Sequence, residues 1–212
     1  MKITAEYILF DLDGTLVDST ESIKACWYDW SQSNGFDAKS VSEYSIGRTA
    51  IDTISHFLGE DARCVEMVTR FTNREIELAK HAKPLLFAKD FVNSLPVNQW
   101  AIVTSATKAL AEARLSAVGL PIPRVLVTAE SVKWGKPNPE CYLLAAKLLQ
   151  TTPKSCLVFE DAPSGVAAAQ SAGMMTVLVG KNQHVALNLV SRISDYSNVI
   201  CVSTSRGFEI KF

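Results

Sequence analysis

The 212-residue sequence has no excess of positive or negative charge. It contains 21 Lys and Arg residues against 22 Asp and Glu residues, which gives a formal net charge of −1. Such a chain has no overall basic field that would attract nucleic acid or anionic lipid. We therefore expect no nucleic-acid partner, and any anionic ligand must be held by local groups.

Long hydrophobic runs are also missing. No apolar stretch approaches the roughly 20 residues that span a membrane, so we expect no membrane association. Near the N-terminus, Glu6 and Asp11 interrupt the apolar residues, and we expect no signal peptide. No internal repeat or low-complexity segment is visible. A composition of 48% apolar and 20% charged residues is typical of a globular chain.

Paired cysteines are lacking as well. The five cysteines are an odd number, widely scattered, and without a Cys-x-x-Cys spacing. This pattern predicts free thiols in a reducing compartment, with the cytoplasm as the expected location. Neither a Gly-x-Gly-x-x-Gly segment nor a Walker lysine loop is present, which argues against dinucleotide-binding and P-loop proteins.

The most informative stretch of the sequence starts at Tyr7. The apolar run Tyr7–Phe10 predicts a strand buried on both faces, as in a parallel sheet. Asp11 and Asp13 follow it, and Gly14 then allows a sharp turn of the backbone. A buried carboxylate is costly unless it is paired or bound to a cation. The two aspartates therefore indicate a metal and catalytic site more than a simple turn with a helix cap.

The rest of the chain divides into a helical region and an alternating region. Helical spacing predicts three helices and no strand within residues 17–83, with helix starts near Ser19, Thr49 and Asp61. Beyond Pro84 strands alternate with helices, which predicts a parallel sheet with helices on both faces. The predicted fold class is α/β, with a Rossmann-like parallel-sheet core at residues 1–16 and 84–212 and an inserted helical unit at 17–83.

Further strands and helices are expected beyond residue 84. The predicted strands cover residues 100–104, 124–128, 156–159, 175–179 and 199–202. The predicted helices cover residues 88–95, 108–118, 139–149, 165–172 and 185–193. The tail from residue 203 onward carries no pattern that supports a prediction.

Polar residues follow several of the predicted strands. They are Asp11 and Asp13, Thr104 and Ser105, Lys136, and Glu160 and Asp161. The carboxyl ends of strands in an open α/β sheet form one ligand-binding edge, so we expect these residues on one rim. Carboxylates, hydroxyls and a single lysine together are typical of magnesium-assisted phosphoryl transfer.

Each residue type has a physical role in such a site. Asp11 can attack phosphorus and form an aspartyl-phosphate. Asp13 can give a proton to the leaving oxygen and later take one from water. Lys136 supplies a fixed cation that offsets charge between Asp11 and the phosphoryl group. We expect Mg²⁺ to be held by Asp11, by the carbonyl or carboxylate of Asp13, and by Asp161. Glu160 is either a further ligand or a partner of the ligands.

The phosphoryl oxygens also need hydrogen-bond donors. Strand alternation points the side chains of Thr104 and Ser105 to opposite faces, and we favour Ser105, with the backbone N–H of Ala106 beside it, over Thr104.

Cys64 and Arg70 have the spacing of cysteine phosphatases. The residues between them contain no glycine and predict a helix, whose interior offers no phosphate-binding loop.

Four segments, in order, resemble the motifs of the haloacid dehalogenase superfamily of phosphatases. They are DLDGT at 11–15, IVTSAT at 102–107, GKPNPECY at 135–142 and FEDAPSGV at 159–166. Residues 100–105 and 127–137 are most similar to the small sugar-phosphate phosphatases, which act on 2-deoxyglucose-6-phosphate, hexitol phosphates or glycerol phosphate. The resemblance implies a helical cap that closes over a small phosphorylated metabolite, Mg²⁺ as cofactor, and no obligatory protein partner.

The resemblance is incomplete within the predicted cap. Gly47 and Arg48 match a substrate-facing cap loop of the superfamily, but Ile46 stands where a histidine is common. Leu86 and Phe87 replace a frequent Pro-Gly pair at the return to the core. The expected activity is hydrolysis of a sugar or polyol phosphate. A phosphosugar mutase of the β-phosphoglucomutase type and a non-catalytic phosphate-binding protein remain as alternatives.

Overall fold

The computed structural model describes residues 2–46, 48–59, 62–180 and 188–212. The strands are β1 Lys2–Ala5, β2 Tyr7–Phe10, β3 Val17–Asp18, β4 Lys83–Pro84, β5 Trp100–Val103, β6 Val125–Val127, β7 Cys156–Glu160, β8 Met175–Val179, β9 Ser191–Ile193, β10 Ile200–Thr204 and β11 Gly207–Lys211. The helices are α1 Thr20–Asn34, α2 Ala38–Ser45, α3 Ala50–Leu58, α4 Ala62–Leu78, α5 Ala88–Asn93, α6 Lys108–Val118, α7 Glu140–Leu148 and α8 Pro163–Ser171.

A six-stranded sheet with the order β6-β5-β2-β7-β8-β9 forms the centre of the molecule. All of its strand pairs are parallel. Ile8 and Phe10 of β2 contribute to the apolar cluster on one face, and Leu9 contributes to the cluster on the other. This alternation explains why the β2 run is apolar throughout, and it confirms the predicted α/β fold with a Rossmann-like parallel sheet.

Helices α1 to α4 pack around an aromatic core of their own, and we call them the helical unit. Trp27 and Trp30 lie edge to face, and Phe71 packs against Trp27 with ring centroids 4.0 Å apart. Helix α2, which the sequence analysis did not predict, starts where the side chain of Asp37 accepts a hydrogen bond from the Ser40 N–H at 2.8 Å. The helical unit therefore buries its apolar stripes within itself.

Short strands lie at both ends of the helical region. β3 and β4 pair antiparallel, with Val17 opposite Pro84, where the chain leaves and re-enters the sheet region. The prediction of no strand in residues 17–83 was therefore wrong. These strands are only two residues long, so their sequence has no visible alternation.

No helix in the described part of the chain is both long and apolar enough to cross a membrane.

The C-terminal region differs most from the prediction. Residues 188–193 are not helical; Ser191–Ile193 extends the sheet beside β8, and residues 185–187 of the predicted helix lie outside the described residues. The tail from residue 203 forms β11, which pairs antiparallel with β1 and with β10. Strand β1 could not be predicted locally, because it is stabilised by β11, a partner about 200 residues away in the chain. Strand β11 also pairs with the neighbouring β10 in a local hairpin, which the sequence analysis missed.

Candidate active site

The carboxyl ends of β2, β5 and β7 meet at one edge of the sheet. Asp11, Thr104 and Asp161 each follow directly after one of these strands, as the sequence analysis predicted. They line a cavity of about 380 Å³ between this edge and the helical unit. Lys136 and Glu160 reach the same cavity.

Lys136 is buried and donates hydrogen bonds to two carboxylates. Its Nζ lies 2.7 Å from Asp11 Oδ1 and 2.5 Å from Glu160 Oε1, and it also donates to the Val103 carbonyl at 3.1 Å. Burial favours the neutral amine, but Asp11 and Glu160 hold the pKa of Lys136 well above its usual range. Lys136 is therefore a fixed cation beside Asp11.

Both oxygens of Glu160 are occupied by protein donors. Oε1 accepts from Lys136 and from the Tyr142 hydroxyl at 3.1 Å, and Oε2 accepts from the Ala162 N–H at 2.9 Å. Helix α8 passes so close that a Cβ at Gly165 would overlap the Glu160 carboxylate. Of the two expectations for Glu160, these contacts favour the one in which it orients its neighbours and does not bind the metal itself.

Asp11, Glu160 and Asp161 offer carboxylate oxygens that all lie within 4.8 Å of one another. Burial raises the pKa of Asp11 to about 8, against the attraction of Lys136. Burial, together with repulsion from Asp11 and Glu160, raises the pKa of Asp161 well above its usual range. Three close carboxylates beside a single lysine carry an excess of negative charge when they are ionised. A hard divalent cation fits this set of oxygen donors.

Gly14 is required for this arrangement. Its φ is +80°, and a Cβ at this position would overlap the carboxylate of Asp161. A residue with a side chain would be strained there and would also displace Asp161. The turn after β2 thus brings the loop that carries Asp11 against the end of β7.

Asp13 lies apart from the carboxylate group. Its carboxylate forms a short ion pair with Arg114 of α6 and accepts a hydrogen bond from Ser19 Oγ at 2.6 Å. Both oxygens of the Asp13 carboxylate are therefore engaged by protein donors. Arg114 in turn donates to Glu75 of α4 at 3.0 Å.

Thr104, Ser105 and Ala106 follow β5 at the edge of the cavity. Thr104 is buried, and its hydroxyl accepts a hydrogen bond from the Ala106 N–H at 3.1 Å. Ser105 is half-buried and lines the cavity. Because Thr104 is engaged with the loop itself, these contacts favour Ser105 as the phosphate-binding hydroxyl, while the Ala106 N–H already has a partner.

The predicted cap residues are brought only partly into the site. Gly47 lies outside the described residues. Arg48 lines the cavity, but its guanidinium donates to the Tyr44 carbonyl at 2.6 Å and lies 4.2 Å from the centroid of the Tyr44 ring. Ile46, at the position where a histidine is common, is 59% exposed and also lines the cavity.

The geometry can be compared with known proteins. A sequence profile of the haloacid dehalogenase-like hydrolases matches residues 8–179. The chain belongs to this family. It is therefore a haloacid dehalogenase-like hydrolase, as the four segments at residues 11–15, 102–107, 135–142 and 159–166 indicated.

Named relatives within the family are sugar and polyol phosphatases. The chain is 39% identical over 176 residues to hexitol phosphatase A of Escherichia coli, with 81% of each chain covered. It is 34% identical over 180 residues to glycerol-1-phosphate phosphohydrolase 2 of Saccharomyces cerevisiae, covering 78% of this chain and 70% of the relative. β-Phosphoglucomutase of Clostridium difficile has a similar structure, with a TM-score of 0.77, 25% identity and 91% of each chain covered.

The sequence analysis of this hydrolase missed Glu75 and Arg114. Both occupy the apolar stripe of a helix: Arg114 is buried next to Leu115 on α6, and Glu75 falls four residues after the buried Phe71 on α4. A charged residue on an otherwise apolar stripe is expensive to bury unless it has a partner. That pattern was a usable signal, although it does not reveal which residues pair.

Proposed function

We propose that this hydrolase cleaves a small phosphomonoester, a sugar or polyol phosphate, through an aspartyl-phosphate on Asp11. The observation that carries the proposal is the buried contact of Asp11 with Lys136 inside a group of carboxylates that lines the cavity. The names of the similar proteins, hexitol phosphatase A and glycerol-1-phosphate phosphohydrolase 2, support the substrate class.

Asp11 is the nucleophile. One carboxylate oxygen attacks phosphorus, the bond to the leaving oxygen breaks, and water later hydrolyses the acyl phosphate. Asp11, Asp161 and the Asp13 carbonyl would hold Mg²⁺, which would neutralise phosphoryl charge and the repulsion among the carboxylates. Lys136 stays fixed by Glu160 and stabilises the charge on the equatorial oxygens together with Ser105.

Asp13 serves the leaving group. As a general acid it protonates the departing alkoxide, and as a general base it takes a proton from the water that attacks the aspartyl-phosphate. Its carboxylate lines the cavity, where Ser19 and Arg114 hold it, and Arg114 also contacts Glu75 of the helical unit. A leaving group bound between the sheet edge and the helical unit lies within reach of this carboxylate.

The helical unit forms the cap, which spans residues 17–83. It closes the cavity over the substrate and excludes bulk water while the phosphoryl group is transferred. Arg48 and the segment around it contact the substrate beyond its phosphate. A cavity of about 380 Å³ fits a small metabolite and disfavours a macromolecular substrate. The five free cysteines fit a reducing compartment, for which we propose the cytoplasm.

A phosphosugar mutase is the second candidate, favoured by the likeness to β-phosphoglucomutase. The two activities differ in the acceptor of the phosphoryl group, which is water for a phosphatase and a second hydroxyl of a sugar phosphate for a mutase. Incubation with glucose-1-phosphate separates them: a mutase yields glucose-6-phosphate, whereas a phosphatase yields inorganic phosphate.

The proposed function is tested by phosphate release from a panel of sugar, polyol and nucleotide phosphates in the presence of Mg²⁺. We expect turnover of one or more sugar or polyol phosphates, and none by Asp11→Asn. Binding of phosphorylated compounds without phosphate release or isomerisation would favour the non-catalytic alternative. Preference for nucleotides would contradict the substrate class but leave the chemistry in place.

A further inference from the structure

Arg114 joins the two walls of the cavity. It belongs to α6 of the sheet core, it is only 3% exposed, and it donates hydrogen bonds to Asp13 and to Glu75. Glu75 belongs to α4 of the helical unit, and all three side chains line the cavity. A continuous chain of contacts therefore runs from the helical unit through Arg114 to Asp13.

The planar shape of the guanidinium group fixes the relative positions of the side chains in this chain of contacts. Arginine presents its donors in a rigid planar fork, so two carboxylates bound to different nitrogens have fixed relative positions. Asp13 occupies the NH1 side and Glu75 the NH2 side of Arg114. A shift of Glu75 relative to the core would therefore reorient the guanidinium and, with it, the Asp13 carboxylate.

The pairing is also needed electrostatically. Without the guanidinium, Asp13 and Glu75 would be two carboxylates facing one another in a largely buried wall, and a buried charge without its partner is strongly unfavourable. Ser19 Oγ adds one neutral hydrogen bond to Asp13 but brings no positive charge. Arg114 is thus the residue that keeps Asp13 in place on the leaving-group side.

We propose that Arg114 is a positioning residue for Asp13, and that Glu75 makes this position depend on the seating of the helical unit on the core. The inference rests on the proposed function, in which Asp13 exchanges a proton with the leaving group. Proton transfer to the leaving oxygen is then efficient only while Glu75 holds the guanidinium. Attack by Asp11 on phosphorus does not need this chain.

Two leaving groups distinguish positioning from a general structural role. An alkyl phosphate, such as the polyol phosphate found best in the panel, needs protonation of its leaving oxygen, whereas p-nitrophenolate departs without a proton. We expect Arg114→Lys and Glu75→Gln to slow the release of the alcohol from the alkyl phosphate, measured in a single turnover with excess enzyme, by about ten- to a hundredfold, the scale on which misplacement of a catalytic group acts. The same variants should keep the single-turnover release of p-nitrophenolate within about twofold of wild type, while their steady-state turnover of both substrates falls because Asp13 also serves the water step.

Controls separate this effect from damage to the helix or the fold. Glu77→Gln removes an exposed carboxylate of the same helix, which pairs with Arg74, and should change neither substrate's kcat. Asp13→Asn sets the reference and should show the same dependence on the leaving group. The double variant Arg114→Lys/Glu75→Gln should be no slower than the slower single variant, because both changes break one chain. If Arg114→Lys does not fold, Glu75→Gln alone tests whether the contact with Arg114 positions Asp13.

Several outcomes would overturn the inference. Equal slowing of leaving-group release from both substrates in a single turnover would give Arg114 and Glu75 a structural or phosphate-binding role, and unchanged release from both would give them none. An Asp13→Asn variant that slows the release of both leaving groups equally would remove Asp13 as the leaving-group acid. If the wild-type protein releases phosphate from neither substrate, the proposed function itself fails, and this inference fails with it.

Discussion

The two walls of the cavity are built on different principles. On the sheet side, Asp11 and Glu160 are buried and both accept hydrogen bonds from the buried Lys136, and Asp161 completes the group. On the helical side, Glu75 is held by Arg114, whereas Arg48 is exposed and contacts its local neighbour Tyr44. The several contacts of Lys136 fix the geometry of the sheet side before a substrate arrives. The exposed Arg48 side chain remains able to adapt.

This difference assigns the chemistry to one wall and the selection of the substrate to the other. Buried charges that satisfy each other are rigid, and removal of one leaves the rest uncompensated. Exposed side chains are replaced at little cost to stability. We therefore expect substitutions of Asp11, Lys136, Glu160 or Asp161 to affect every substrate, and substitution of Arg48 to affect substrates unequally.

The largest expected effect is that of Asp11→Asn. Loss of the nucleophile should lower kcat by at least about a thousandfold for every substrate, including p-nitrophenyl phosphate. The fold should persist, because the amide removes a carboxylate whose ionised form is disfavoured by burial. Steady-state phosphate release and circular dichroism check the two statements. Substantial residual turnover would remove Asp11 as the nucleophile.

Removal of the metal should have a comparable effect on the same wall. Chelation with EDTA is expected to stop hydrolysis, and added Mg²⁺ to restore it. Mg²⁺ at about 100 times its Kd should also stabilise the fold by about 3 kcal/mol, measured by denaturant unfolding. Asp161→Asn should abolish this stabilisation, whereas Asp195→Asn, which changes a half-buried carboxylate that does not line the cavity, should keep it. An EDTA-insensitive enzyme would refute the metal assignment.

An intermediate effect is expected where the two walls meet, at Glu75. Burial raises the pKa of Glu75 from 4.5 to about 7, although the attraction of Arg114 opposes this shift. The penalty for burying ionised Glu75 is absent below pH 4.5, grows as the pH rises, and is complete above about pH 7. The free energy of unfolding of wild type, relative to Glu75→Gln, should fall by about 3 kcal/mol over this window.

Denaturant unfolding of both proteins at several pH values measures this difference. Glu77→Gln, which changes an exposed residue of the same helix, should show a difference from wild type that does not depend on pH. If the free energy of unfolding of wild type, relative to Glu75→Gln, stays constant or rises with pH, Glu75 is ionised in the folded protein throughout the window.

The smallest effect is expected for Arg48→Ala, on the helical side. The variant should raise KM for the preferred sugar or polyol phosphate by about tenfold, the scale of one hydrogen bond to a charged group. The effect on p-nitrophenyl phosphate should be smaller, and Lys39→Ala on the exposed face of α2 should affect neither. Equal effects of Arg48→Ala on all substrates would contradict a role in selection.

Much of the sheet side could be predicted because its signals are local. A buried strand such as β2 needs an apolar run, and the carboxylates that follow it are set by the chain direction. Strand β1, which was missed, forms through its pairing with the distant β11. Likewise, the predicted helix at residues 185–193 overlaps strand β9, which pairs with the neighbouring β8.

Local patterns were therefore sufficient for the α/β order of the chain, the insertion after β2, and the group of Asp11, Lys136 and Asp161. Each of these follows from periodicity or from the position of a residue after a strand, which are properties of short segments. The pairing of Arg114 with Asp13 and Glu75 arises only in the folded molecule. It joins residues 39 and 101 positions apart, and a charge on a helix cannot choose between distant partners until packing brings them together.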